Sequence, residues 1–247
     1  MTAARTAAAL IIGNEILSGK IADANIPVLA ATLRALGVRL ERVVMVLDDA
    51  AVIAREVRAL RADHDLVVTS GGVGPTHDDV TVAAVCTAFG APMVSAPAME
   101  AMLQSYYGER LTAGHLLMAR VPEGARLIQS SDMPWPTVVM GNVWILPGVP
   151  QVFAMKMAVL RAELAGGTAF RSRAVFTDLD EGALKPALDQ VVARHPEVEV
   201  GSYPKWREPR FKTKVTFDSQ SQERVDAAAE AFIELIGAGA VVAVDEG

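Results

Sequence analysis

Residues 69–81 read Thr-Ser-Gly-Gly-Val-Gly-Pro-Thr-His-Asp-Asp-Val-Thr, and the reading of this stretch decides the fold. It follows the apolar run Leu66-Val67-Val68, which has the composition of a buried strand, and precedes residues 80–89, which have that of a helix. Glycines between a strand and a helix let backbone N–H groups reach a ligand with no Cβ in the way. The start of the following helix adds partial positive charge, so the turn suits a phosphate or another anion. The stretch is neither the Gly-Lys-Ser/Thr phosphate loop nor the full dinucleotide fingerprint. What sets it apart is the polar run behind Ser70, Gly71, Gly72 and Gly74, namely Thr76, His77, Asp78, Asp79 and Thr81. Two carboxylates beside an anion repel it unless a cation lies between them, which makes Asp78 and Asp79 candidates for holding a divalent metal. The competing reading is that one aspartate simply caps the helix.

Upstream, residues 7–12 form a small, apolar first strand, and residues 13–20 a polar loop containing Gly13, Glu15 and Ser18. Such a loop, at the carboxyl end of a first strand, is where open α/β sheets place ligands. Asp23 can cap a helix whose Ile26, Leu29, Leu33 and Leu36 follow the helical period, and Gly37 ends it. Residues 38–47 read as a second strand closed by Asp48 and Asp49, and Val52, Ile53, Val57 and Leu60 line one face of the next helix. Residues 65–69 are the third strand. Asp48 is open to two readings, a helix cap and a ligand contact. The order βαβαβα predicts a three-layer αβα domain with a mainly parallel sheet.

Downstream, the pattern predicts a short strand at 91–94, helices at 97–107 and 111–119, a turn at 121–124 and a strand at 126–128. Residues 132–136, with Trp135 between two prolines, read as stiff and irregular. Residues 137–140 and 143–146 flank Gly141-Asn142 as a hairpin. Pro147-Gly148-Val149-Pro150 then leads into a helix over 151–164, a second strand–turn–helix unit whose turn can face the same crevice as the first. Residues 165–168, Ala-Gly-Gly-Thr, mark a boundary between domains 1–167 and 168–247. Beyond it the order is βαββαβ, the split ferredoxin-like arrangement: strands at 171–177, 198–202, 212–218 and 240–244, helices at 181–194 and 222–236.

The chain has 247 residues, enough for a sizeable core, and 51% of them are hydrophobic. A net charge of −6 argues against a nucleic-acid partner held by phosphate neutralisation. Cys86 is the only cysteine, which excludes an intrachain disulfide and a cysteine-based metal site and reads as a buried thiol. The apolar run at residues 10–12 is too short for a signal sequence, and no stretch approaches the ~18 apolar residues of a membrane span. The expectation is a cytoplasmic protein. His77, beside two carboxylates, is a candidate general base or metal ligand. His64, His115 and His195 fall at helix ends or in loops and carry no special reading. Trp135 is read as hydrophobic packing or a stacking surface. Trp206, in the aromatic and cationic loop 202–210, is read as solvated or as a stacking contact.

Gly-Asn-Glu-Ile-Leu-Ser-Gly at 13–19, Asp23 with Asn25, Asp48, the stretch 69–81 and Leu-Pro-Gly-Val-Pro at 146–150 together resemble the molybdopterin-binding fold of molybdenum-cofactor biosynthesis proteins. Within that fold the chain is similar to the N-terminal region of competence/damage-inducible protein A. It resembles more closely the molybdopterin-binding-like domain of animal FAD synthase, through Asn-Val-Trp-Ile-Leu-Pro-Gly-Val-Pro at 142–150 and Gly-Ser-Tyr-Pro-Lys-Trp at 201–206. The resemblance covers nearly the whole chain. It implies a sheet-end pocket for a pterin or nucleotide, with the glycine turn on phosphate and Gly13, Glu15, Ser18, Asn25, Ser70, Gly71, Gly72, Gly74, Thr76, Thr81, Pro147 and Gly148 as ligand contacts. It also implies hydrolysis of a nucleotide pyrophosphate, FAD or ADP-ribose, with Mg²⁺, Mn²⁺ or Co²⁺ on Asp48, Asp78 and Asp79, and a homo-oligomer. The Asn-Pro-x-Gly-Thr-Ala-Pro-Gly loop of competence-type relatives is replaced here by residues 132–137, and neither an amidohydrolase nor an FAD-forming domain follows within these 247 residues. The rival reading is a non-catalytic module that binds molybdopterin or a flavin nucleotide.

Overall fold

In the computed structural model, which describes residues 5–130, 133–206 and 210–245, the first strand sets the layering. β1 (Arg5–Ile12) sends Ala7, Ala9 and Ile11 to one apolar cluster and Ala8, Leu10 and Ile12 to another. Alternate residues of a strand face opposite ways, so a strand buried on both sides must be covered by helices on both. A short turn of helix, α1 (Asn14–Leu17), follows, then α2 (Asn25–Ala35), β2 (Val38–Val46), α3 (Ala50–Asp63), β3 (Leu66–Ser70) and α4 (Thr81–Phe89). The chain continues through β4 (Met93–Ser95), α5 (Pro97–Tyr107), α6 (Ala113–Leu117), β5 (Arg120–Pro122), β6 (Arg126–Ser130), β7 (Met133–Met140), β8 (Val143–Leu146) and α7 (Pro150–Glu163). These elements belong to a unit spanning Met1–Gly167.

Its sheet has the order β2-β1-β3-β8-β7-β6. β2, β1, β3 and β8 run parallel, and β7 runs against them. On one face α2 and α7 pack Leu29, Leu33, Phe153, Met157 and Leu160 against the odd residues of β1. On the other, α3 and α4 pack Ile53, Val57, Leu60, Ala84 and Val85 against the even ones. Three layers result. β4 and β5 form a separate two-stranded ribbon, and with α5 they bury a satellite cluster of Met99, Leu103, Ala119 and Val121.

Thr168–Gly247 is a second unit. It contains β9 (Arg171–Thr177), α8 (Glu181–Arg194), β10 (Glu199–Pro204), β11 (Thr213–Ser219), α9 (Gln222–Ile236) and β12 (Val241–Asp245). The sheet is antiparallel throughout, in the order β10-β11-β9-β12, which is the ferredoxin-like arrangement. Val175, Val215 and Phe217 of the sheet pack against Leu184, Val191, Val225 and Phe232 of its helices, with the Phe217 and Phe232 rings 5.4 Å apart.

Three sequence expectations need correction. Residues 14–17, read as loop, make a helical turn closed by the Ser18 N–H donating to Asn14 O at 3.0 Å. Residues 120–122 lie in β5 rather than opening a turn. Residues 133–136, read as irregular, belong to β7. Pro134 and Pro136 are tolerated there because β7 pairs with β8 only through residues 138–140, and its register against β6 shifts between Ile128 and Ser130. Asp132 of that segment, and residues 207–209 of the cationic loop, lie outside the described residues.

Phe153 is 1% exposed at the centre of the α2–α7 face. Phe153→Ala is expected to cost about 3–5 kcal/mol in equilibrium unfolding by denaturant. A loss under about 1 kcal/mol would mean this face is not a packed core.

Candidate functional site

Four parallel strands end level. The register sets Ile12 beside Val46, Ile11 beside Ser70, and Ser70 beside Leu146. The residues that follow each strand therefore meet at one edge: Gly13 after β1, Asp48 after β2, Gly71 after β3 and Pro147 after β8. All four line a single cavity of about 720 Å³ at the carboxyl edge of the sheet, a volume in the range of small-molecule sites.

The glycine turn is built for close approach. Gly71 has φ of +108°, and a Cβ there would lie 2.1 Å from Ile12 O. A Cβ on Gly148 would lie 3.2 Å from the Cα of Gly71, so the two turns are packed backbone to backbone. The Thr81 hydroxyl, fully buried, donates to Gly71 O at 2.8 Å, and the Thr81 N–H donates to Gly72 O at 3.0 Å. With both carbonyls held inward, the N–H groups of Gly72, Val73 and Gly74 have no acceptor among the described residues. Buried or half-buried N–H groups normally find a partner, so this row suits an anion.

Behind the turn, neither aspartate caps α4: its N-cap is Val80, with no side-chain cap. Both carboxylates instead converge on Thr76. Asp78 Oδ1 lies 2.6 Å and Asp79 Oδ2 2.5 Å from the Thr76 hydroxyl, and the Thr76 N–H also donates to Asp79 Oδ2 at 2.8 Å. The Thr76 hydroxyl and the residue's own backbone N–H hold the Asp78 carboxyl below its ordinary value, with a smaller effect from His77. Asp78 is thus ionised at neutral pH. His77 points to solvent, its Nδ1 3.9 Å from Asp78.

Asp48 is clasped to the first loop. Its Oδ2 accepts the Asn14 N–H at 2.8 Å, while its own N–H donates to Asn14 Oδ1 at 3.2 Å. The cap of α3 is Asp49, which accepts from Ala51 and Val52 N–H. Asn25, 4% exposed, donates through Nδ2 to Ser70 Oγ and to Gly148 O, both at 2.9 Å. Those two bonds fix the orientation of the amide and leave its Oδ1 buried without a partner.

The cavity wall brings together Gly13, Glu15, Asn25, Asp48, Ser70, Gly71, Gly72, Gly74, Thr76, Asp78, Asp79, Pro147 and Gly148. Two expected contacts fall elsewhere. Ser18 is exposed and donates to Glu15 O, and Thr81 serves the turn from behind. The wall also contains groups that sequence reasoning did not single out, Lys156 and Arg120 among them, and it includes Trp135, which meets Tyr106 edge to face. Lys156 is the notable one: 3% exposed, donating to Trp135 O, with no carboxylate in ion-pair range among the described residues. Its signal was present in the spacing. Phe153, Lys156, Met157 and Leu160 follow i, i+3, i+4, i+7, which puts the lysine on the apolar stripe of α7.

Oxygen donors alone surround the acidic end of the cavity, which fits a hard divalent cation. The Thr76 hydroxyl has one proton yet stands between two carboxylates, so a positive partner suits the cluster. Among the described residues, no three His, Cys, Asp or Glu side chains are gathered as a metal cage. An ion here would draw on two carboxylates and on oxygens of the ligand, the pattern usual for Mg²⁺. No helix among the described residues is long and apolar enough to cross a membrane.

Comparison with known proteins is consistent with this geometry. Residues 8–165 match the family model of the probable molybdopterin binding domain, and residues 169–245 that of the FAD synthase middle domain. A probable FAD synthase of Caenorhabditis elegans is 33% identical over 98% of this chain and 51% of that protein. A CinA-like protein of Myxococcus xanthus is 33% identical over 89% of this chain and 55% of its own length. The chain thus spans about half the length of both. The crystal structure of the protein CinA, of unknown function, from Thermoplasma acidophilum superposes with a TM-score of 0.60 at 32% identity, over 66% of this chain and 99% of that one.

Two stability tests follow. Gly71→Ala forces a left-handed residue against a backbone carbonyl and is expected to cost at least about 2 kcal/mol, read from denaturant unfolding. Lys156→Met is expected to act in the opposite direction. Burial pulls the Lys156 ammonium from 10.5 down to about 8, with no offset from Glu15, Asp23, Asp48, Asp78, Asp79 or Arg120 on the same wall. The unfolded chain holds the proton more tightly, so the folded state is penalised by on the order of 3 kcal/mol below pH 8, and stability recovers as pH rises toward 10.5. Removing the charge, less about 1 kcal/mol for the lost bond to Trp135, should stabilise the unliganded protein by about 1–2 kcal/mol at pH 7. The gap should close between pH 8 and 10.5, as followed by thermal unfolding across pH.

Proposed function

The chain belongs to the molybdopterin-binding domain family, and from that premise we propose that its sheet-edge cavity binds a phosphate-bearing nucleotide and hydrolyses its pyrophosphate bond with a divalent metal. The observation that carries this reading is that turn amides with no protein acceptor among the described residues share one wall with a hydroxyl held between two carboxylates. The N–H groups of Gly72, Val73 and Gly74 orient one phosphate without carrying net charge, so they bind it without neutralising it. Asp78 and Asp79, with Thr76 Oγ1, would hold the metal, and Asp48 lies on the same wall at the neighbouring strand end, tied to Asn14. When bound, such an ion lowers the pKa of a coordinated water and neutralises charge on the leaving phosphate. Asn14 keeps the Asp48 carboxylate aimed, and Gly74 leaves room for that of Asp79, which a Cβ there would meet at 2.7 Å. Relatives named FAD synthase and the flavin-length volume of the cavity support FAD as the first substrate to try, with ADP-ribose beside it.

A second reading has its own support. The lack of a three-residue metal cage among the described residues suits a module that binds and delivers a pterin or flavin nucleotide without cleaving it. Turnover separates the two. Purified protein is incubated with FAD or ADP-ribose and Mg²⁺, Mn²⁺ or Co²⁺, with chelator as control, and release of FMN and AMP, or of AMP and ribose phosphate, is measured. Asp78→Asn and Asp79→Asn are each expected to lower kcat by at least about 100-fold while unfolding stability changes by under about 1 kcal/mol. Tight binding with no metal-dependent cleavage would leave the delivery module.

A further inference from the structure

Resting on the pocket reading above, we infer that Lys156 is the cationic half of a pyrophosphate cradle: the glycine turn receives one phosphate and the Lys156 ammonium receives oxygens of the other. An ammonium has three donors, and among the described residues only Trp135 O engages one of them. The residue is 3% exposed, so water does not serve the remaining two well, and a buried cation with no counter-charge is costly unless something supplies one. No residue of the wall does so: the five carboxylates that share the cavity with Lys156 all lie beyond ion-pair distance.

Position agrees with the role. α7 begins at Pro150, two residues beyond Gly148, and Gly148 is the residue packed on the Cα of Gly71. Long helical side chains lean toward the N-terminus, so Lys156, on the second turn, is carried back toward the glycine turn. A second buried group on the wall also awaits a ligand, the unpartnered Asn25 Oδ1, which requires a ligand N–H or O–H. Arg120, the other cation of the wall, is exposed and can remain hydrated. The cavity wall thus carries an acidic pair that suits a metal and, outside ion-pair range of it, a buried cation that suits an anion.

The test is calorimetric titration of the purified protein with inorganic pyrophosphate and with FAD, each with Mg²⁺. The variants are Lys156→Gln, Lys156→Met, Lys156→Arg, Arg120→Gln and Asp79→Asn, each first shown to unfold cooperatively. Lys156→Gln and Lys156→Met are expected to weaken both probes by at least about tenfold, Lys156→Arg to recover part of the loss, and Arg120→Gln to change either by less than about threefold. Unchanged pyrophosphate affinity in Lys156→Gln and Lys156→Met, with Asp79→Asn still losing it, would overturn the role of Lys156 and leave the pocket reading standing. Failure of wild-type protein to bind either probe would overturn both.

Discussion

The site depends on one constraint, the register of four parallel strands that stop at the same level. Because β2, β1, β3 and β8 are paired with their ends flush, residues distant in sequence emerge within one crevice. A single-residue slip in any pair would send each side chain to the opposite apolar cluster as well as misplace the loop. The two apolar clusters that flank the sheet therefore fix the cavity edge while they fix the fold. The second device is close packing of backbone: Gly71 against Ile12 O, and Gly148 against Gly71. A Cβ at Gly71 would collide with Ile12 O and one at Gly148 would crowd Gly71, so the two turns lie close around the same space.

Much of this was legible in the sequence. The alternation of strand and helix, the glycine turn and the acidic strand ends are local patterns, and local patterns survive into three dimensions when tertiary packing agrees with them. The main strands and helices could be placed to within a few residues, because apolar spacing and a punctuating glycine such as Gly37 coincide with a real helix end. What escaped reading depended on pairing. Residues 133–136 looked irregular because prolines remove ladder donors, yet the strand carries them where its partners are absent or out of step. Two aspartates in a row before a helix read either as a pair for a metal or as one cap; in three dimensions both turn onto Thr76 and neither caps.

Lys156 was missed for a different reason. A lysine within a helix is ordinarily assigned to solvent, since its long stem can reach water from most positions. Here its place on the apolar stripe between Phe153 and Met157, with Trp135 above it, closes that route. Charge in a sequence is visible, whereas desolvation is a property of the neighbours. Asn25, a ligand contact by resemblance, likewise owes to its neighbours the burial that leaves Oδ1 an acceptor with both Nδ2 bonds already made.

The buried ammonium ties the fate of the fold to what occupies its crevice. Among the described residues no carboxylate pairs with this charge, and any anion that settled beside it would add its binding free energy to the folded form alone. In a cell where unfolded chains are continually degraded, the amount of this protein would rise and fall with the supply of its ligand, without any change in its synthesis. Under the proposed role, the lysine would act as a gauge of abundance as well as a contact.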